Sequence, residues 1–190
     1  IVAIACSTGG PKSLQHVIPY LPENLDAGVV LVQHMPKGFT ASLAMRLNSL
    51  SKAVVKEAED GEVIEKGHVY IAPGGMHIII AQSGKNHVIR YSDQPPVDGL
   101  RPCANIMFES LSDTDYDDIT CVVLTGMGAD GTKGIQSLVD KGRRVHVIAQ
   151  DAESCIVYGM PRAIAEAGLA NEIQPLNKIS ESIIKNVGVM

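Results

Sequence analysis

Ile1-Val2-Ala3-Ile4-Ala5-Cys6 runs without polar interruption into Ser7-Thr8-Gly9-Gly10-Pro11. An apolar run of this length, closed by glycines, reads as a strand buried on both faces. Pro11 falls where the first turn of a helix tolerates a missing N–H. A strand that turns through Gly-Gly into a helix is the opening of a βαβ unit, and the rest of the chain keeps that beat. Residues 29–32, 54–55, 68–72, 120–125 and 144–149 read as further strands. Helical patterns cover 11–20, 40–50, 102–111, 131–141, 161–167 and about 176–186. Two short runs, 78–81 and 88–91, flank Ser83-Gly84-Lys85-Asn86 and read as a hairpin. The alternation predicts an α/β fold: a doubly wound, mostly parallel sheet with helices on both faces and an antiparallel hairpin insertion.

The chain has 190 residues, which suits a single domain over 1–190 with a core that needs no staples. A net charge of −5 and the lack of any dense Lys/Arg run argue against nucleic acid as a partner. No apolar stretch approaches the ~18 residues a membrane span needs, so no membrane insertion is expected. Cys6, Cys103, Cys121 and Cys155 have no C-x-x-C spacing, and Cys6 and Cys121 lie inside apolar strands. A reduced, cytoplasmic protein without a disulfide framework is the expectation. The chain opens at Ile1, already inside a strand, as a piece of a longer protein would.

Open parallel sheets bind ligands beyond the carboxyl ends of their strands, so reactive residues just past a strand matter most. Three loops qualify. In Ala5-Cys6-Ser7-Thr8-Gly9, small residues flank the serine as in the nucleophile elbow, with Ala replacing its first Gly. A plain alternative is that Ser7 or Thr8 only caps the following helix or binds an anion there. Gln33-His34-Met35-Pro36 follows the second strand and offers an imidazole as general base. Among the other histidines, only His77, after Pro73-Gly74-Gly75-Met76, competes for that role. Thr125-Gly126-Met127-Gly128-Ala129-Asp130-Gly131 follows the most apolar strand. Its glycines let backbone N–H groups approach an oxyanion, and Asp130 suits the task of orienting the imidazole. Its structural alternative is the N-cap of the helix that begins near Gly131. The order Ser, His, Asp differs from that of α/β hydrolases, which disfavours that fold.

These segments resemble a known family. Ser7-Thr8-Gly9-Gly10-Pro11, Val32-Gln33-His34-Met35-Pro36, Ile71-Ala72-Pro73-Gly74-Gly75-Met76-His77 and Leu124 to Gly131 are similar to the catalytic domain of chemotaxis-receptor methylesterases. So are Ala149-Gln150-Asp151, Ser154-Cys155 and Tyr158-Gly159-Met160-Pro161. The resemblance runs from Ile1 to about residue 187. It implies hydrolysis of glutamate methyl esters on methyl-accepting chemotaxis receptors, and deamidation of certain receptor glutamines. It maps the catalytic Ser, His and Asp onto Ser7, His34 and Asp130, and the oxyanion-hole amide onto Met127; an N–H near Thr8 is a candidate second donor. It also implies an upstream receiver domain that covers the site until phosphorylated. One departure stands out. Where the family pattern has Arg-Pro-Ser-Val-Asp, this chain has Arg101-Pro102-Cys103-Ala104-Asn105, a change expected to bear on substrate or partner contacts while leaving the triad intact.

The chemistry so implied needs no cofactor and no metal, and the histidines show no H-E-x-x-H or Cys/His cluster. The competing reading from a different class is a non-catalytic module that uses the loops at Ser7–Gly10 and Gly126–Gly131 as anion or phosphate cradles.

Overall fold

A computed structural model describes all residues, 1–190. Seven strands form one parallel sheet: β1 (Val2–Cys6), β2 (Val29–Gln33), β3 (Val54–Glu57), β4 (His68–Ile71), β7 (Ile119–Val123), β8 (Val145–Gln150) and β9 (Glu172–Gln174), in the spatial order β3-β4-β2-β1-β7-β8-β9. β5 (His77–Ser83) and β6 (Asn86–Ser92) pair antiparallel as a separate hairpin. The main helices are α1 (Gly10–Leu14), α2 (Phe39–Leu50), α3 (Ala104–Ser110), α4 (Thr132–Asp140), α5 (Met160–Glu166) and α6 (Ile179–Val187). The fold is therefore the doubly wound α/β sheet with a hairpin insertion that the alternation of strands and helices predicts.

β1 lies at the centre and is buried along its whole length, so its alternate side chains define both cores. Ala3 and Ala5 face a cluster built with Ile78, Ile80 and Ile89 of the hairpin, Met107 and Phe108 of α3, and Ile135 and Leu138 of α4. Val2, Ile4 and Cys6 face the opposite cluster, with Leu14 of α1, Leu43 and Leu47 of α2, and Ile179 and Ile183 of α6. Each such Leu, Ile or Phe contributes roughly 1.5–3 kcal/mol on burial. The two-residue period of the strand thus recruits helices to both faces.

Two elements differ from the sequence expectation. The helix expected over 11–20 stops at Leu14, and a 3-10 turn follows at Ile18–Tyr20. Leu14, Val17 and Ile18 are all buried, which gives the helical spacing, but Pro19 has no N–H and its ring would collide with the carbonyl four residues back. β9 has no counterpart in the apolar pattern. It is a three-residue edge strand whose one apolar residue, Ile173, is 53% exposed.

The chain leaves β1 outward to β2 on one side, and returns to its other side at β7. The strand order therefore reverses between β1 and β7. In sheets of this kind the crevice at that point, beyond the carboxyl ends, is where ligands bind.

Candidate active site

Ser7, His34 and the Thr125–Gly131 loop all emerge from that edge. The β1–β2 register pairs Cys6 with Gln33, so Ser7 and His34 are the next residues on adjacent strands. Main-chain bonds hold the three loops together: His34 N–H donates to Cys6 O at 3.1 Å, and Ser7 N–H to Thr125 O at 3.0 Å. Gly126 packs so closely that a Cβ there would lie 2.8 Å from Ser7 Cβ and 2.4 Å from Met160 Sδ. Only glycine permits that approach, which sets the Gly126–Met127 peptide beside the serine.

Buried polar side chains act as struts beneath these loops. Gln33 Nε2 donates to both Ser7 O and His34 O, each at 3.0 Å, while its Oε1 accepts the Cys6 thiol at 2.9 Å. Gly10 makes room for it, since a Cβ would fall 1.9 Å from that oxygen. Gln150 Oε1 accepts the Thr125 N–H at 2.8 Å. Thr125 Oγ1 donates to Thr8 O at 3.0 Å, and accepts the amides of Ile156 and Val157. Sequence reasoning missed the struts Gln33, Gln150 and Thr125 as functional. The available signal was an amide or hydroxyl at the end of an otherwise apolar strand, where a buried polar group must find partners.

His34 Nε2 lies 2.6 Å from Asp130 Oδ2, and the two side chains are only 9% and 4% exposed. A carboxylate has no proton to give, so Nε2 carries a hydrogen in this bond, and in the neutral ring the lone pair sits on Nδ1. This reverses the familiar protease arrangement, in which Nδ1 faces the aspartate. No hydrogen bond joins Ser7 to His34; catalytic bonds of this type often tighten only when substrate is present. The N–H groups of Thr8 and Met127 donate to no protein acceptor. The Met127 side chain points outward, 72% exposed.

Asp130 accepts more than the imidazole. Ala104 N–H reaches Oδ2 at 2.6 Å, Asn105 N–H reaches Oδ1 at 2.9 Å, and the Cys103 thiol donates to Oδ1 at 3.2 Å. Burial alone would raise the carboxyl's pKa, but the bonds from His34, Ala104, Asn105 and Cys103 outweigh it and hold the pKa below the ordinary value. Asp130 therefore caps α3, a helix remote in sequence, and not the helix that follows it. That helix, α4, is capped by Asn105 Oδ1, which accepts Gly131 N–H at 2.9 Å and Gly134 N–H at 2.8 Å. The two helix starts cap each other reciprocally. The departure at Cys103-Ala104-Asn105 thus lies directly against Asp130, while the His34–Asp130 bond is in place. Burial first, and the charge of Asp130 second, push the Cys103 thiol up to about 12, so it stays protonated as a donor.

His77 is fully buried, and both its nitrogens are engaged, by Pro95 O at 3.2 Å and by Cys103 N–H at 3.1 Å. Neither nitrogen is open to a substrate or to Ser7. Beside the His34–Asp130 pair lies a groove of about 530 Å³, lined by Val97, Leu100, Met127, Ala129, Asp130 and Lys133 among others. No group of three or more His, Cys, Asp or Glu residues is arranged to hold a metal ion. No helix is long and apolar enough to cross a membrane.

Fold and edge together define a class: an open parallel α/β domain that presents a serine and a buried His–Asp pair from three adjacent strand ends. The model of the CheB methylesterase family matches residues 2–183. The chain belongs to that family. It is 48% identical over 189 residues to a protein-glutamate methylesterase/protein-glutamine glutaminase of Desulfotalea psychrophila, covering 98% of this chain and 51% of that protein. A Bacillus subtilis protein of the same name is 48% identical over 184 residues, covering 96% of this chain and 51% of its own length. The chain thus spans about half the length of these curated relatives. The solved structure of the Thermotoga maritima CheB methylesterase catalytic domain superposes with a TM-score of 0.93 at 44% identity, over 98% of this chain and 97% of that one.

Proposed function

We propose that this chain hydrolyses the methyl esters of glutamates on methyl-accepting chemotaxis receptors, and deamidates receptor glutamines, with Ser7, His34 and Asp130 as a catalytic triad. The observation that carries the reading is the buried His34–Asp130 pair at 2.6 Å on the strand adjacent to Ser7. The names of the curated relatives support the same two activities. Ser7 Oγ attacks the ester carbonyl while His34 Nδ1 takes its proton, and Asp130 stabilises the imidazolium that forms. The unpaired amides of Met127 and Thr8 receive the oxyanion. His34 returns the proton to the departing methoxide, giving methanol and an acyl-serine. Water, activated by His34, then releases the glutamate. An amide passes through the same tetrahedral oxyanion with ammonia as leaving group, which accounts for a glutaminase activity at one site.

A passive anion cradle is not favoured. α1 is only five residues long and offers little dipole, and such a module has no use for a desolvated imidazole–carboxylate pair. In the full-length protein we propose a receiver domain that lowers basal activity by covering this edge; the double length of the relatives accommodates one. The test is methanol release from a methylated receptor fragment, with labelling by a fluorophosphonate. The chain should label and turn over, and Ser7→Ala should do neither. Turnover by Ser7→Ala would remove the nucleophile assignment, and failure of the chain to label would return the anion cradle.

A further inference from the structure

We propose that His77 is a positioning residue for this hydrolysis, acting through the Cys103 amide on Asp130; the inference rests on reading Ser7, His34 and Asp130 as the triad. His77 opens β5 and is fully buried. Its Nδ1 accepts the Cys103 N–H at 3.1 Å, and its Nε2 faces the Pro95 carbonyl at 3.2 Å. An amide only donates and a carbonyl only accepts, so the pair of bonds fixes the ring as the neutral tautomer with its hydrogen on Nε2. Burial pushes the pKa of His77 below the usual histidine range, which keeps that tautomer in place.

Cys103 is the residue before α3, in extended conformation, and its own side chain caps nothing in that helix. Its amide is held from behind by His77. Its thiol and the next two amides converge from the other side on Asp130. One short turn, residues 103–105, is all that separates the His77 ring from the catalytic carboxylate. Asn105 pins the far side of the same turn by binding Gly131 and Gly134, immediately after Asp130. Without an acceptor at position 77, the Cys103 N–H is left buried and unpaired, and such a group recovers a partner only if the chain shifts. Any shift of the turn carries three of Asp130's four donors with it. The aim of the carboxylate at His34 is lost by the same amount, and a displacement near 1 Å costs up to about 10²-fold in rate. His77 touches neither Ser7 nor the groove, but Cys103, Asn105 and Asp130 line the groove, so the effect of His77 is read on turnover per competent site.

The experiment is fluorophosphonate titration of competent sites, followed by kcat per titrated site on a methylated receptor fragment. His77→Leu keeps the bulk and removes the acceptor; it should lower kcat per titrated site at least about tenfold. His77→Asn places a carbonyl oxygen near the former Nδ1 and should recover most of that loss. Unchanged kcat per site in His77→Leu, with only a lower melting temperature or fewer titratable sites, would make His77 a packing residue and overturn the proposal. Equal damage in both variants would overturn the acceptor role. If His77→Leu does not fold, nitrogen-15 NMR of the unmodified chain decides: the neutral Nε2–H tautomer at neutral pH supports the proposal, and an Nδ1–H or doubly protonated ring defeats it. An unlabelled wild-type chain overturns the triad reading itself, and the role of His77 with it.

Discussion

The two edges of the seven-stranded sheet use their carboxylates in different ways. At the amino edge, Lys66 pairs with Asp26 and Arg144 with Asp118, and these side chains are 42–80% exposed. At the carboxyl edge, His34 and Asp130 meet where almost no water reaches them. Exposed pairs gain little, because solvent screens the attraction and long side chains lose freedom; about 0–1 kcal/mol is typical. A buried pair is different in kind. It does not need to add net stability, yet a carboxylate out of water that loses its donors is left unsatisfied, so each partner depends on the other. The carboxyl edge therefore depends on its buried carboxylate in a way that the exposed pairs at the amino edge do not depend on theirs.

The comparison can be broken at several strengths. The largest effect belongs to Ser7→Ala, which should lower ester turnover at least about 10³-fold. Its melting temperature should hardly move, since Ser7 is half-buried and its hydroxyl makes no bond in the protein. A large loss of stability would mean that this edge is held together by Ser7 as well as by the struts beneath it.

Asp130→Asn comes next, and here structure overrides simple capping rules. Asn normally replaces Asp well as a helix cap. At this position four donors converge on two carboxylate oxygens, and an amide offers one oxygen and turns an NH₂ group on the rest. Turnover should fall at least about tenfold, and urea unfolding should show a loss of about 1–3 kcal/mol. Unchanged stability would mean that the α3 amides find other acceptors.

The same carboxylate predicts an acid limb. Its folded pKa lies below its unfolded value, so its contribution is complete above the ordinary carboxylate range and disappears as pH falls through the folded pKa. Wild-type stability should therefore fall more steeply below about pH 4 than that of Asp130→Asn. Parallel urea midpoints across that range would deny Asp130 the role.

The smallest effect sharpens the contrast. Arg144→Ala, at the amino edge, should change stability by less than about 0.5 kcal/mol and leave turnover unchanged. A loss comparable to that of Asp130→Asn would erase the distinction between the edges.

What the sequence determined by itself was periodicity and local chemistry. The apolar runs of β1, β2, β7 and β8 state their burial outright, and small residues around Ser7 and Gly126 announce tight turns at strand ends. These signals suffice for the fold class and for three loops at one edge, because each depends only on neighbours along the chain. Tertiary structure alone decided the rest. The half-polar β9 exists only through its pairing with β8. Asp130 caps a helix that begins 26 residues before it, Asn105 returns the bond to α4, and His77 grips Cys103 from yet another element. Hydrogen-bond partners of buried polar groups are chosen by proximity in space, and a capping rule read along the chain has no access to a donor supplied by a different helix.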